Sequence, residues 1–491
     1  MLGNTLLLVA SVTAIVLPAG TIVAWACTWL EWPGRRRVLQ IGLAVLFFPV
    51  LLQAAAWDAA LGRQGLLGPQ LGMGGIPVLQ GWTGAILLHA VVALPWAAWI
   101  IGLGLRDLEP ELVEQAWLDG GPWSALWRVA APRCRGTLAL AAAWTVVMVA
   151  SDMTITDMYQ VRTCAEVLYA DFALEDEPLA VIAGAAPSIL TIAALLALLL
   201  GCAWTWRPLR ALSPRAVPPR RIAGGWLLSL VMLFGAALLV GVPLASLVLK
   251  AGTVATPAGD GWERHWSARH AVEMVVTTPH AFRDEFWWTT VLAVGAAMIT
   301  TLLAAPWAWW ARRSPARMAA SLAALALLAS VPGPLLAVAI AALRTSSGGE
   351  WLDVAAERTV LIPWLYLALR AAPLATALIW YSLRTLPEGL FESLTLDGVG
   401  TVEQLWRVVL PLRWRAAAAA WIIAAGLSAG ELAGTILLIP GRVSTVAVRM
   451  FQLLHAGVDD RLAGLCLTSA IGYAVAALAA WSLAKRAGGS E

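Results

Sequence analysis

Charged side chains make up only 13% of this 491-residue chain. That is too few to clothe the surface of a soluble protein. Cysteine is scarce as well: Cys27, Cys134, Cys164, Cys202 and Cys466 are scattered without metal-ligand spacing. Only Cys164 falls in an outer loop, so neither a metal site nor a disulfide is expected. No glycine-rich phosphate loop ending in Gly-Lys-Ser/Thr occurs, which excludes ATP binding of the usual kind. No Ser/His/Asp arrangement or carboxylate pair argues for catalysis, so no catalytic residue is expected. The N-terminal stretch MLGNTLLLVASVTAIVLPAG lacks the basic n-region of a cleaved signal peptide, and a retained first span is expected.

What the chain has in abundance is apolar length. Hydrophobic residues are 60% of the total and the mean hydropathy is +0.77. Apolar runs of about 20 residues recur, the length an α-helix needs to cross the hydrocarbon core. They are continuous rather than alternating, so barrel strands are not expected. The sequence predicts an all-α polytopic membrane protein with about 11 transmembrane helices, at 5–30, 38–56, 81–104, 136–151, 179–203, 226–249, 286–310, 319–343, 359–383, 416–438 and 463–484. Arginines gather in alternate loops, as at Arg35–Arg37, Arg207–Arg221, Arg312–Arg317 and Arg384–Arg415. The positive-inside rule then puts the N-terminus outside and the C-terminus in the cytoplasm. The lipid bilayer is a partner by composition; nucleic acid is not expected.

Two polar stretches interrupt the apolar pattern on that arginine-rich side. Leu108 to Arg135 reads LEPELVEQAWLDGGPWSALWRVAAPRCR, and Leu386 to Arg415 reads LPEGLFESLTLDGVGTVEQLWRVVLPLRWR. Glu114 and Glu392 are 278 positions apart, as are Asp119 and Asp397, Gly120 and Gly398, and the span prolines Pro95 and Pro373. Upstream, Pro49 pairs with Pro334 at a separation of 285. The chain is therefore expected to contain two parallel repeats facing the same way. The first half is 1–206, with about five spans and the loop 108–135. A Pro/Arg-rich linker follows at 207–225. The second half is 226–491, with about six spans and the loop 386–415. Parallel repeats imply a pathway along a pseudo-two-fold axis normal to the membrane.

Within the second loop, Leu390, Phe391, Leu394 and Leu396 give an apolar face over two turns, and Gly398 and Gly400 interrupt it. A second helical piece then runs to Pro411. A short helix, a bend and another helix, too polar to cross a membrane, is the expected form.

This loop resembles the EAA motif of binding-protein-dependent ABC importer permeases (type I importers). Glu392, Gly398, Val408, Leu410 and Pro411 fall at the family's spacing, while Ser393 and Leu394 replace the usual alanines. In the first copy Glu114, Gln115, Ala116, Asp119, Gly120 and Pro132 fit, with one residue fewer between glycine and proline. The resemblance implies that each loop is a coupling helix seated in a cytoplasmic ATP-binding subunit. Glu114, Ala116, Asp119, Gly120, Pro132, Glu392, Asp397, Gly398, Leu410 and Pro411 are then the ATPase-coupling residues. It further implies two ATP-binding subunits inside, ATP held by those partners and no cofactor on this chain. A periplasmic or extracellular substrate-binding protein and a bacterial inner (plasma) membrane location complete the picture. The shorter first copy predicts asymmetric docking.

Three intramembrane charges are candidates for the pathway. Asp152 and Glu431, 279 apart, follow the two loops, and Arg370 lies near the middle of span 9. Buried carboxylates face a cavity or a partner, and Arg370 is expected to neutralise Glu431 or another acid. Gly430-Glu431 resembles a dipeptide of the ferric-iron and thiamine branch, so ferric iron is the first expectation, with thiamine, sulfate, polyamines or phosphonates as alternatives. His265, His270, His280, Glu263 and Glu273 in the loop after span 6 read as solvated, with no metal site. Asp171 and Glu175–Glu177 form an acidic outer cluster that reads the same way. The alternative class is an ion-gradient-driven secondary transporter. It too would show repeats and buried charge, but it has no need of two such loops.

Overall fold

The computed structural model describes residues 1–62, 65, 67, 79–174, 178–205, 219–221, 225–258, 261–345, 358–384 and 386–488. It is 85% helical and has seven helices long and apolar enough to cross a membrane, or eleven if each of four bent helix pairs is one crossing. The seven are Leu2–Trp29, Gly81–Arg106, Ile182–Ala203, Gly225–Ala251, Arg283–Ala311, Leu361–Arg384 and Asp459–Leu483, spans 1, 3, 5, 6, 7, 9 and 11 in chain order. Helix is the expected form for such runs, because a backbone in hydrocarbon must satisfy its polar groups within the segment.

The bent pairs carry the departures from the simple span pattern. Span 2 is Arg35–Phe47 followed by Val50–Leu61 at 109°, and span 8 is Pro315–Ser330 followed by Gly333–Leu343 at 92°. Neither is the continuous helix expected at 38–56 or 319–343. The break falls before Pro49 and Pro332, where Phe48 (ψ 121°) and Val331 (ψ 118°) are extended. Proline clashes with a helical residue before it, which forces that conformation. Pro332, rather than Pro334, is thus the structural counterpart of Pro49.

Spans 4 and 10 are Arg135–Ser151 and Trp414–Ala429, bent by 74° and 83° from the loop helices that precede them. Span 10 stops nine residues short of the expected 438, since Gly430 ends the helix and a separate turn, Thr435–Leu438, follows.

Strands, which composition argued against, occur as two small pairs outside the spans. Strand β1 (Leu30–Glu31) pairs in parallel with β2 (Arg220–Arg221). Strands β3 (Thr253–Ala258) and β4 (Gly261–Trp266) form an antiparallel hairpin ahead of the amphipathic helix Ala268–Ala281.

Helix packing repeats between the halves. Span 1 packs on 3 and 4 as span 7 packs on 9 and 10, and span 4 packs on 5 as span 10 packs on 11. The broken spans cross over: the first leg of span 2 lies on span 11, and span 8 lies on span 5. Span 6 has no counterpart and covers the second leg of span 2. Several expectations fall outside the described residues: the acidic residues Glu175, Asp176 and Glu177, and linker arginines Arg207, Arg210 and Arg215.

Candidate coupling surface and central cavity

Each polar loop folds as helix, break, helix. The first runs Pro110–Ala125 with a break at Gly121 (φ 75°, ψ 178°), and the second runs Glu388–Leu396, then Gly398 (φ 74°), then Thr401 onward. A left-handed φ strains any residue with a Cβ, so glycine is required at these two positions. The sequence register pairs Gly120 with Gly398, but the left-handed residue of the first copy is Gly121. Past the break the copies match at a separation of 279: Leu126-Trp127-Arg128-Val129 against Leu405-Trp406-Arg407-Val408. Both stretches form a π-helical turn just before Pro132 and Pro411. Proline cannot donate to the carbonyl four residues back, which accounts for the widened turn. The length difference between copies is therefore confined to the link at Gly121 and Asp397–Gly400.

Of the expected coupling residues, Asp119, Gly120, Pro132, Glu392, Asp397, Gly398 and Pro411 are exposed, while Glu114, Ala116 and Leu410 are half-buried. Sequence reasoning missed the most exposed pair. Leu118 is 83% exposed and Leu396 is 87% exposed, and they too are 278 apart. Leu396 thus leaves the apolar face assigned to it, and Leu390 and Phe391 alone pack inward, against a core of Trp309, Leu383 and Leu405. Arg312 lies 3.7 Å over the Phe391 ring and Trp309 donates to the Thr401 carbonyl at 3.1 Å, which fixes the second loop to the end of span 7. In the first copy Trp123 meets Trp25 of span 1 edge-on at 5.6 Å. The signal available in sequence was the matched leucine, one position before each aspartate.

The two halves also meet at this end. Burial raises the Asp107 carboxyl to about 6, while Arg384 from span 9 and neighbouring Arg106 pull it down.

Deeper in the bundle lies a cavity of about 210 Å³ between the halves, lined by residues of spans 2, 3, 4, 8, 9 and 10. It brings together Asp152, Arg370 and Glu431, the three charges singled out from sequence. Their partners are not those expected. Arg370 donates to the Val331 carbonyl at 3.1 Å, not to Glu431. That carbonyl is freed by the break before Pro332. At the corresponding break before Pro49, Gln53 donates to the Phe48 carbonyl at 2.9 Å. Each polar side chain satisfies a backbone group left open by proline, at a depth where an open one is expensive.

Glu431 accepts four hydrogen bonds: from Tyr366 Oη at 2.5 Å, Gly434 N at 3.1 Å, Thr435 N at 3.0 Å and Thr435 Oγ1 at 2.5 Å. Asp152 Oδ2 accepts from Ile155 N at 2.8 Å and lies 3.3 Å from His89 Nε2. His89 Nδ1 is 2.8 Å from the Ala85 carbonyl. Both acids cap the short turn that follows them and take a partner from the preceding span. Trp144 Nε1, whose ring is 5.0 Å from Trp96, and Ser428 Oγ are themselves buried and have no hydrogen-bond partner among the described residues. In the loop after span 6, His270 faces Asp460 at 3.9 Å.

No family model matches the chain. It is similar to a diacetylchitobiose uptake system permease protein of Streptomyces coelicolor, 30% identical over 140 residues, 28% of this chain and 42% of that protein. It is similar to a trehalose transport system permease protein of Mycobacterium tuberculosis, 28% identical over 157 residues, 30% of this chain and 52% of that protein. A probable sulfate transport system permease protein of Marchantia polymorpha is 25% identical over 168 residues, 32% of this chain and 58% of that protein. The chain spans about half the length of the curated relatives it matches.

Proposed function

We propose that the chain is the fused, two-half permease subunit of an ATP-driven, binding-protein-dependent importer in a bacterial inner membrane. The observation that carries this is the duplicated helix–glycine–helix loop with an exposed leucine, Leu118 or Leu396, at the same register in each copy. Two cytoplasmic ATP-binding subunits grip the two loops and hydrolyse the ATP, and a substrate-binding protein delivers the solute from outside. The N-terminus then lies outside and the C-terminus in the cytoplasm. Similarity to three transport permease proteins supports the same reading.

For the solute we place a sugar-like polyol ahead of ferric iron or thiamine. Glu431 already accepts four hydrogen bonds, and coordination of a cation there would have to break some of them. Two of the three similar proteins bear sugar names.

Cysteine cross-linking tests the docking. The native cysteines are buried or half-buried, so Leu118→Cys and Leu396→Cys supply accessible thiols. Both are expected to cross-link to the chain's ATP-binding subunit. Labelling by a soluble maleimide without any cross-link would refute the reading.

A further inference from the structure

The two loops are not equivalent, and the linker makes the difference. Strand β2 leaves the linker just ahead of span 6 and lies parallel to β1, with Leu30 opposite Arg220 and Glu31 opposite Arg221. Arg221 Nε is 3.4 Å from Glu31 Oε2. Arg220 points the other way, into the first loop, where its guanidinium donates to Glu114 and sits 5.5 Å over the Trp117 ring. Trp117 packs against a core of Cys27, Leu30 and Trp32, which Leu228 and Met232 of span 6 also cover. A backbone ladder, an ion pair, a cation–π contact and an apolar anchor therefore converge on one turn of the first loop.

The second loop is held differently, with Arg312 over the Phe391 ring and Leu390 and Phe391 packed inward, and among the described residues no strand pairs beside it and no guanidinium meets its Glu392. Glu392 is exposed and has no partner among the described residues. The residue in register with Trp117 is Thr395, which has no ring for a guanidinium and bonds instead to the Phe391 carbonyl. Among the described residues, no strand reaches the second loop as β2 reaches the first.

We infer that β2 is part of the docking surface of the first loop, so that the two loops offer partners faces of different charge. This rests on the coupling-loop reading above. The Glu114–Arg220 pair is neutral, and with side-chain exposures of 46% and 39% it lies where a docking subunit touches it. Glu392 presents a bare carboxylate. Two identical ATP-binding subunits, each with a basic group opposite the glutamate, grip the second loop more tightly than the first. Exposed ion pairs of this kind differ in strength by about two- to five-fold in affinity.

The test titrates the purified chain with its ATP-binding subunit. Two binding classes are expected. Glu392→Gln weakens the tighter class by about two- to five-fold, and Arg220→Gln frees Glu114 and strengthens the weaker class by a similar factor. Glu114→Gln leaves the Arg220 charge bare opposite the subunit's basic group and weakens the weaker class further, by about two- to five-fold. Two equivalent classes in the unaltered chain, or weakened binding by Arg220→Gln, would overturn the inference while leaving the coupling-loop reading intact. No binding at all would overturn that reading itself. Melting of the chain alone, in a Glu114→Gln/Arg220→Gln double-mutant cycle, reads the intramolecular contact without any partner; additivity there also overturns the inference.

Discussion

Replacing Gly398 by alanine isolates the backbone bend from every other feature of the coupling loop. A Cβ built at Gly398 meets nothing within 4 Å, so no side-chain clash enters. What remains is φ 74°, which costs a residue with a Cβ about 1–2 kcal/mol. Gly400 is the matched control: it too opens onto empty space, and its φ of −63° suits any residue. If a subunit grips only the bent loop, the strain lowers affinity by about 5- to 30-fold. Gly400→Ala should change affinity by less than about two-fold, and can even stabilise the chain by restricting the unfolded state. The assay is titration of the labelled, purified chain with the ATP-binding subunit, with a melting curve to show that the fold persists. Gly398→Pro, whose ring fixes φ near −65°, should go further and uncouple ATP hydrolysis from uptake. In the first copy Gly121, at φ 75° and ψ 178°, occupies a region held almost only by glycine, so Gly121→Ala is expected to cost about 1–3 kcal/mol. Equal affinities for Gly398→Ala and Gly400→Ala would refute the bend as the gripped feature.

Leu118→Asp and Leu396→Asp should each abolish most ATP-dependent uptake without lowering the melting temperature, since both leucines lie outside the packed core; unaltered uptake would count against the leucines as contact points. Glu431→Gln keeps one acceptor oxygen, for either Tyr366 or Thr435, removes the charge, and is expected to cut uptake more than assembly, read by size-exclusion yield beside transport. Equal loss of both assigns Glu431 to bracing alone. The Asp107 carboxyl, raised to about 6 from the ordinary 3.8, predicts a pH signature. The folded state holds that proton more tightly than the unfolded state, so stability falls as pH rises from about 4 to about 6 and stays lower above. Asp107→Asn should therefore melt higher than the unaltered chain at pH 7.5, with the gap closing at pH 4.5, and a gap independent of pH would show that Asp107 titrates normally.

The spans and both loops were legible in the sequence because each rests on composition or on a repeated spacing. Their interruptions were less so. Pro95 and Pro373 lie inside unbroken helices, whereas Pro49 and Pro332 end theirs. A proline in a span does not by itself say which, since the outcome depends on whether another side chain can satisfy the freed carbonyl. Gln53 does this at one break and Arg370 at the other. For the same reason Arg370 could be placed at the right depth from sequence yet paired with the wrong group. The acids were found by register, but the capping role of Glu431 depends on Gly434 and Thr435 that follow and on Tyr366, 65 residues earlier. Adjacent glycines at 120 and 121 left the pivot ambiguous, because spacing cannot tell which of two neighbours takes positive φ. The clasp of Arg220 on Glu114 spans 106 residues and leaves no periodic trace.

Solute accumulation in vesicles tests the central claim most directly. With the chain, its ATP-binding subunit and the binding protein reconstituted together, the account predicts uptake that requires both ATP and that subunit. Uptake driven by an ion gradient in the subunit's absence would contradict it.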